Sequence, residues 1–412
     1  MPVAPGGSGQ DGPIPFARPF IGAEEEEAAL RVLRSGWLTT GAEALAFEGE
    51  FASFLCGPWK PGGGARALPE SAGPGPVCCL AVNSATSGLH LALEACGVGQ
   101  GDFVLVPSLT FTATAEVARY LGADPVFVDV APGSFHMDPG ALDRAIARLP
   151  AGRAKAVIPV HYGGLCLGME SVMEIARRRG LKVIEDAAHS FPALAGDAFA
   201  GTVGDAGVFS FYATKTITTG EGGMIACRDR EMLDRISVMR SHGIDRSVWN
   251  RYSDAKAPWY YEVVEAGFKH NMPDVLAAIG RAQLSRAWDL LRMREEIAAA
   301  YDSAFSGDAR FELPPTGPGD ARHLYPLRLN PRHMRVSRDD FVGRLKAEGV
   351  GASVHFIPLH TMPFYRNRYR LAEGDFPESM ESYRREVSLP IWPGMSGGQV
   401  DRVIRAAKRA AV

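Results

Sequence analysis

Seven short apolar runs between about residues 77 and 230 constrain the fold of this chain more than any other feature. Valine and isoleucine dominate these runs, which are continuous rather than alternating, and segments with helical periodicity lie between many of them. Such runs are typical of strands buried on both faces of a mostly parallel sheet. The runs are Val77–Val82, Phe103–Val106, Pro125–Val128, Ala156–Val160, Leu181–Ile184, Gly207–Phe211 and Met224–Ala226. The predicted helices between them are Ser87–Ala95, Ala113–Leu121, Pro139–Leu149 and Met169–Arg179. We therefore predict a large three-layer α/β/α domain.

The pattern changes after about residue 275, where apolar residues at helical spacing predict one long bridging helix over Pro273–Ser303. Strand candidates follow at Tyr325–Leu329 and Ala352–Phe356, and helix candidates at Ser337–Glu348 and Gly398–Ala411. This mixture predicts a small C-terminal α+β domain. An N-terminal helix, Ala23–Ser35, is expected to pack near the domain boundary or near the small domain.

We divide the chain into a tail (residues 1–20), a large domain (21–275) and a small domain that includes the bridging helix (276–412). Residues 57–76 are rich in glycine and proline and lack periodicity, so they are predicted to form a surface loop or insertion.

Composition excludes several classes of function. The 412 residues carry 44 Lys+Arg against 47 Asp+Glu, a net charge of −3, which favours neither a nucleic-acid groove nor a membrane-surface patch. No apolar run reaches the roughly 18 residues that span a bilayer, and the N-terminus lacks a signal-peptide pattern. The six cysteines form no CxxC pair, so we expect buried free thiols in a reducing cytoplasm and no metal site.

Lys215 is the main candidate for chemistry. It follows the predicted strand Gly207–Phe211 and lies within the segment Ser210–Gly223, whose last residues are rich in glycine. A lysine on a short loop between strands, surrounded by hydroxyls and glycines, suits imine formation with an aldehyde cofactor. Pyridoxal phosphate (PLP) would need three further groups: an acid opposite its ring nitrogen, helix-start N–H groups for its phosphate, and a flat partner for its ring.

Asp186 is the candidate acid, because it ends a predicted strand, where ligand sites collect in open α/β sheets. It could instead cap a following helix. The neighbouring Glu185 complicates the choice, but strand alternation puts the two carboxylates on opposite faces, so only one can face a site. His189, three residues on, is a candidate for stacking on the ring or contacting its hydroxyl, with a structural role as the alternative.

The phosphate site is predicted at Asn83–His90, where small hydroxyl residues connect a strand to an apolar helix. An ordinary helix cap is the alternative interpretation. Phe111 is the stacking candidate, since it also follows a strand, and a place in the core is its alternative.

The order and spacing of these motifs resemble the DegT/DnrJ-type (StrS-like) PLP-dependent sugar aminotransferases, which have the aspartate aminotransferase fold (fold type I). The resemblance covers roughly residues 18–405. The matching stretches are Ser35–Gly41, Asn83–Thr86, Pro107–Phe111, Glu185–His189, Gly201–Asp205, Ser210–Gly223, Gly267–Met272 and His355–His360.

The resemblance implies a role for each matching residue. Lys215 would hold the cofactor and move a proton, and Asp186 would pair with the ring nitrogen. The remaining cofactor-binding residues would be Ala85, Thr86 and Ser210 at the phosphate, Phe111 and His189 at the ring, and Asn271. Family members are homodimers with shared sites, and Asn271 would reach the partner's phosphate; the alternative is a cap on the helix that begins near Pro273.

The resemblance also implies the reaction. The donor would be an amino acid, usually glutamate, and the acceptor a nucleotide-linked keto sugar, in a ping-pong scheme through the PLP and pyridoxamine phosphate (PMP) forms. Family dehydratases have a histidine in place of the lysine, so Lys215 argues against that reaction. The stretches His242–Arg246, Pro258–Glu262 and His355–Thr361 look most like members that aminate carbon 4 of 4-keto-6-deoxy or 4-keto pentose sugars. His355 and His360 would line the sugar site or be packed loop residues.

Two alternatives remain open from the sequence. The acceptor could be a ring ketone without a nucleotide, as in aminocyclitol formation. In a different class, the chain could be a PLP-binding regulatory protein without turnover.

Overall fold

The computed structural model of the chain describes residues 12–59, 76–245 and 259–412. The first nine strands are β1 (Cys78–Val82), β2 (Phe103–Pro107), β3 (Asp124–Val128), β4 (Ala154–Val157), β5 (Lys182–Asp186), β6 (Leu194–Ala195), β7 (Ala198–Phe199), β8 (Ala206–Ser210) and β9 (Gly223–Cys227). Seven of these form one sheet in the order β1-β9-β8-β5-β4-β2-β3, and β6 and β7 form a short hairpin. All seven predicted apolar runs contribute a strand to this sheet.

The large sheet is mostly parallel, as predicted. The four pairs from β3 to β8 are parallel, and only β9 runs against its neighbours β1 and β8. The carboxyl ends of the parallel strands therefore meet at one edge of the sheet, where open α/β sheets bind ligands.

Helices cover both faces of the sheet. They are α1 (Ala23–Ser35), α2 (Ala42–Leu55), α3 (Ala85–Ala95), α4 (Ala113–Tyr120), α5 (Pro139–Ala147), α6 (Met169–Arg179) and α7 (Arg230–Met239). Val104 and Ile184 pack into a core with α3, α4 and α7, whereas their strand neighbours Leu105 and Val183 pack with α5 and α6. Phe209 of β8 lies in a third core with α2. Successive strand residues thus face different layers, which confirms the three-layer fold.

The C-terminal part contains a three-stranded antiparallel sheet of β10 (Phe311–Glu312), β11 (Tyr325–Leu329) and β12 (Glu386–Leu389). Its helices are α8 (Asp274–Ser285), α9 (Ala287–Phe305), α10 (Arg338–Ala347), α11 (Pro363–Tyr369), α12 (Pro377–Arg385) and α13 (Gly397–Ala410). The first half of α9 packs into the core with α2, and its second half packs against β11. Helix α1 packs on α8 through Ala28, Val32 and Ala278.

The prediction of one helix over Pro273–Ser303 was wrong, because the helix breaks between α8 and α9. Arg286 lies at the break with φ −108° and ψ 7°, and its guanidinium contacts Glu24 and Glu25 at the start of α1. Apolar spacing could not reveal this break, since Leu284 and Leu290 on either side of it enter the same core.

The strand predicted at Ala352–Phe356 was also wrong. Only Ser353 forms a bridge to β12, and the next residues leave the sheet. The backbone N–H of His355 donates to the Glu386 carboxylate rather than to a strand carbonyl, at 2.8 Å. The His355 and Phe356 side chains line a cavity instead.

Several further predictions concern tails, loops and cysteines. Residues 1–11 of the tail and 60–75 of the insertion lie outside the described residues. All six cysteines are free, but only Cys79 and Cys227 are buried and Cys56 is exposed, so the expectation of uniformly buried thiols was too broad. No helix among the described residues is long and apolar enough to cross a membrane.

Helix α2 begins at Ala42, and its N-cap residue, Gly41, has no side chain to cap it. The cap comes from Asp274 at the start of α8, whose Oδ1 accepts the N–H groups of Gly41 (2.7 Å) and Ala44 (3.0 Å). Its Oδ2 accepts the N–H of Glu43 at 3.2 Å. One buried carboxylate therefore joins two helices that are distant in sequence.

We expect Asp274→Ala to lower the free energy of unfolding by about 2 kcal/mol, because buried helix-start N–H groups lose their acceptor. Asp274→Asn, which retains one oxygen, should lose about half as much. Asp289→Ala, at an exposed side chain in the first turn of α9, is the matched control and should stay within about 0.5 kcal/mol. Denaturant unfolding measures all three, and equal effects of Asp274→Ala and Asp289→Ala would contradict the capping role.

Candidate active site

A cavity of about 510 Å³ lies at the carboxyl edge of the large sheet. Residues of the C-terminal part and the N-terminal Phe16 close one side of it. Seven of the eight residues predicted for cofactor binding or catalysis line the cavity, and so does His355. The seven are Ala85, Thr86, Phe111, Asp186, His189, Ser210 and Lys215. Neither Asn271 nor His360 lines it.

The start of α3 supplies an anion site. Ser84 caps the helix, its Oγ accepting the N–H of Ser87 at 3.1 Å, so the ordinary-cap interpretation also holds. Ala85 and Thr86 follow as the first helical residues, whose N–H groups have no acceptor within the helix. Gly223 of β9 passes so close that a Cβ there would lie 2.8 Å from the Ala85 nitrogen. The missing side chain thus keeps this helix start open to an anion.

Glu185 and Asp186, at the end of β5, point in opposite directions. Glu185 is fully buried and accepts hydrogen bonds from His161 Nε2 and from the N–H groups of Gly201, Val203 and Gly204, all at 2.7–2.8 Å. Both Glu185 oxygens therefore accept hydrogen bonds from within the fold. Of the two neighbouring acids, only Asp186 lines the cavity.

Asp186 is held by two hydrogen bonds. Thr114 Oγ1 donates to Oδ2 at 2.8 Å, and the N–H of Ala188 donates to Oδ1 at 3.2 Å. Among the described residues, the next helix after β5 is α7, which begins at Arg230, so the carboxylate caps no helix. Burial raises the pKa of Asp186, against the opposing effects of Thr114, Ala188 and Lys215. A cation placed against this carboxylate would favour its charged form.

Lys215 extends into the same cavity from the loop after β8. Burial lowers the pKa of its amine to about 8, while the Asp186 carboxylate opposes and the buried Arg294 guanidinium assists the shift. A lysine with this pKa has a substantial neutral fraction near neutral pH and can act as a nucleophile or base.

Aromatic and imidazole side chains form the remaining wall. The Phe111 side chain is 57% exposed at the cavity, so it is not a core residue. His189 Nδ1 accepts the N–H of Gly163 at 3.3 Å, which leaves the ring proton on Nε2. Burial keeps the pKa of His189 well below its ordinary value, so the ring is neutral.

Two residues of the site were not predicted from the sequence. Thr114, in the first turn of α4, holds Asp186 through its hydroxyl. His323, just before β11, lines the cavity with its ring centroid 4.5 Å from that of His189. Neither belongs to a motif that stands out by spacing, since folding alone brings them to the cavity.

His360 lies away from the cavity. It is fully buried, with Nδ1 2.5 Å from Ser108 Oγ and Nε2 3.3 Å from the carbonyl oxygen of Glu373. This placement corrects the prediction of a substrate contact and agrees with the packed-loop alternative. The Asn271 amide donates to Thr40 Oγ1 at 2.6 Å and caps no helix, so the capping alternative was wrong.

The residues present fit PLP. An open helix start suits its phosphate, a buried carboxylate suits its protonated ring nitrogen, and a half-buried lysine in the cavity wall suits its aldehyde. These features on this sheet define the chain as a PLP-dependent enzyme of fold type I.

Comparisons with known proteins agree with that class. The profile of the DegT/DnrJ/EryC1/StrS aminotransferase family matches residues 72–408. The chain is 41% identical over 399 residues to the spore coat polysaccharide biosynthesis protein SpsC of Bacillus subtilis, covering 96% of each chain. The putative sugar aminotransferase Spr1654 of Streptococcus pneumoniae, in its PMP form, superposes with a TM-score of 0.85 at 27% identity, covering 97% of this chain and 99% of that one. Helicobacter pylori PseC, an aminotransferase involved in the biosynthesis of pseudoaminic acid, superposes with a TM-score of 0.84 at 26% identity, covering 97% and 99%.

The chain belongs to the DegT/DnrJ/EryC1/StrS aminotransferase family. It is a PLP-dependent sugar aminotransferase.

We expect substitution of Asp186 to affect cofactor binding and rate, and substitution of the neighbouring Glu185 to affect stability. Asp186→Asn should weaken PLP binding and lower the transamination rate about 100- to 1000-fold, through loss of a charge that faces the cavity. Glu185→Gln should lower the free energy of unfolding by about 3 kcal/mol and leave the rate of the folded enzyme nearly unchanged. PLP titration, steady-state rates and denaturant unfolding measure both variants. A normal rate in Asp186→Asn would exclude the assigned role.

Proposed function

We propose that this enzyme transfers an amino group from glutamate to carbon 4 of a nucleotide-linked 4-keto-6-deoxy or 4-keto pentose sugar. The observation that carries the proposal is the convergence of Lys215 and Asp186 on one cavity beside an open helix start. The polysaccharide and pseudoaminic acid pathways in the names of the relatives support a sugar-nucleotide acceptor. Preference for carbon 4 comes from the sequence pattern, of which residues 246–258 lie outside the described chain.

PLP, when bound, supplies an aldehyde that exchanges amino groups and a ring that withdraws electrons. Lys215 Nζ would hold that aldehyde until the amino donor displaces it. The freed Nζ, whose pKa is lowered to about 8, would then take the α proton of the donor and deliver it within the same cavity. A single amine that serves donor and acceptor in turn supports a ping-pong order.

Asp186 would hold the ring nitrogen in its protonated form. The carboxylate is buried, and burial raises its pKa, so a facing cation would stabilise its charge strongly. Thr114 and Ala188 keep both carboxylate oxygens in place. Fixing the charge in advance is what makes such a contact effective in catalysis.

The other wall residues would orient the cofactor. The N–H groups of Ala85 and Thr86 and the Ser210 hydroxyl would bind the phosphate, where the α3 dipole also favours negative charge. The exposed Phe111 ring would cover one face of the pyridine ring, and the Nε2–H of His189 would contact the ring or its oxygen.

We expect amino transfer from glutamate to nucleotide-linked 4-keto sugars, with 2-oxoglutarate released in equal amount. The test is incubation of the PLP-loaded enzyme with glutamate and a panel of ketones, followed by mass spectrometry of the products. Lys215→Ala is the matched control and should lose the visible absorbance of the bound cofactor and all measurable transfer. Activity on free cyclitol ketones alone would favour the aminocyclitol alternative. A cofactor band that does not respond to glutamate would favour a regulatory protein.

We also propose a homodimer with shared active sites in the cytoplasm. Five apolar side chains on and near α1 and α2 are 44–53% exposed: Ile21, Leu30, Leu33, Leu38 and Leu45. A second copy would cover such a surface. Asn271 lies outside the cavity of its own chain, as a residue that reaches the partner's phosphate would. Six free thiols agree with a reducing compartment.

Shared sites predict complementation between one impaired and one inactive variant. Asn271→Ala should weaken phosphate binding, and Lys215→Ala should be inactive. Refolding an equal mixture of the two chains should restore about a quarter of the wild-type activity, because half the dimers are mixed and each carries one intact site. Sedimentation analysis of each variant controls for assembly. Failure of a mixed dimer to exceed its parents would show that Asn271 serves its own chain.

A further inference from the structure

A hydrogen-bonded chain runs outward from the cavity wall through three side chains. His355 lines the cavity, and its Nδ1 lies 2.8 Å from Ser388 Oγ. Ser388 Oγ in turn bonds to Glu386 Oε1. The second oxygen, Oε2, accepts the backbone N–H of His355 at 2.8 Å. Glu386 and Ser388 are fully buried on β12.

Two further contacts, in addition to those with Ser388 and Glu386, hold His355 in place. The Tyr162 hydroxyl donates to its carbonyl oxygen, and the Phe16 ring lies with its centroid 5.3 Å from the imidazole. Among the described residues, the hydrogen bonds of the imidazole involve Nδ1 alone, which leaves Nε2 for the cavity. Burial and the nearby Lys215 lower the pKa of His355 to about 3, so its ring stays neutral at ordinary pH.

Glu386 has no ion-pair partner among the described residues, although several charged or titratable groups lie around it. Arg338 of α10 donates to backbone carbonyls and pairs with Asp339, and Arg328 of β11 pairs with Glu312. Tyr162 directs its hydroxyl to His355 instead. Burial raises the pKa of Glu386 to about 8, against smaller opposing effects of Ser388, the His355 N–H and Arg338.

Two arrangements of protons satisfy this chain. With Glu386 protonated, its Oε1–H donates to Ser388, the Ser388 hydroxyl donates to His355 Nδ1, and Nε2 carries the ring proton into the cavity. With Glu386 ionised, both steps reverse: Nδ1–H donates to Ser388, the hydroxyl donates to Oε1, and Nε2 is a bare acceptor. Gain or loss of one proton at Glu386 therefore decides whether His355 Nε2, in the cavity, is a hydrogen-bond donor or an acceptor.

We propose that Glu386 is a positioning residue that acts through Ser388 to select which ring nitrogen of His355 carries the proton. Below the folded-state pKa of Glu386, His355 Nε2–H is a donor to an oxygen of the acceptor ketone or a neighbouring hydroxyl. Above that pKa the donor is lost. The substrate contact rests on the proposed function, whereas the change of tautomer does not.

The tautomer of His355 tests the inference directly. Holoenzyme labelled with ¹⁵N-histidine, with His355 assigned by its disappearance in His355→Gln, is titrated by NMR. In the wild type we expect the ring proton to move from Nε2 to Nδ1 as the pH rises through about 8. Lys215 also has a pKa of about 8 in the free protein, so the variants must separate the two groups.

Glu386→Gln provides that separation, since its amide can accept from the His355 N–H and donate to Ser388. It should keep the proton on Nε2 at every pH. Ser388→Ala, which breaks the chain, should remove the pH step. The same step in Glu386→Gln as in the wild type, or a wild-type tautomer that does not change, would overturn the proposal. If Glu386→Gln fails to fold, the wild-type titration and Ser388→Ala still decide.

Kinetics test the contact with substrate. In the wild type, KM for the acceptor ketone should rise roughly 5- to 10-fold above pH 8, as expected for loss of one hydrogen bond, with little change in kcat. Glu386→Gln should show no such rise. A tautomer change without any effect on KM would refute the substrate contact. Product formation from keto sugars, measured separately, still reports on the proposed function itself.

Discussion

The site depends on how the carboxylates of Glu185 and Asp186 are divided between two faces of the sheet. Glu185 receives hydrogen bonds from His161 and from the turn formed by residues 201–204, and these tie β5 to β4 and to the entry of β8. Removing one partner of such a buried pair leaves a charge without compensation. With β5 fixed in this way, Asp186 has one direction left, towards Lys215 and the start of α3.

The electrostatic character of the cavity follows from its burial. Lys215 is shifted towards its neutral form, and the three histidines His189, His323 and His355 all have pKa values below the ordinary range. Uncharged imidazoles can direct hydrogen bonds to hydroxyl and carbonyl oxygens without competing with Asp186 for a cation. Arg294 is the nearby permanent charge, and it donates to the carbonyl oxygens of His323 and Ile391 behind the wall. A wall of neutral imidazoles with two carboxylates, Asp186 and Glu221, and one titratable amine suits a cationic ring and a polar, uncharged sugar.

Much of the fold and part of the site could be predicted from the sequence. The seven apolar runs predicted the large sheet, because a strand buried on both faces has no polar alternation. The positions of Lys215, Asp186 and α3 were predictable since each follows a strand, and parallel strands end at one edge. The broken helix at Arg286 and the irregular Ala352–Phe356 segment were not predictable, because local apolar spacing continues through both.

The sequence by itself determined the class of chemistry, since a lysine, an acid and a helix start at those positions suit one kind of cofactor. Only the tertiary structure decided which acid faces the cavity and which histidine does. It separated His355 from His360 and added Thr114, His323 and the Glu386–Ser388 pair. The physical reason is that these contacts join residues far apart in the chain, and their geometry exists only after the C-terminal part packs over the edge of the sheet.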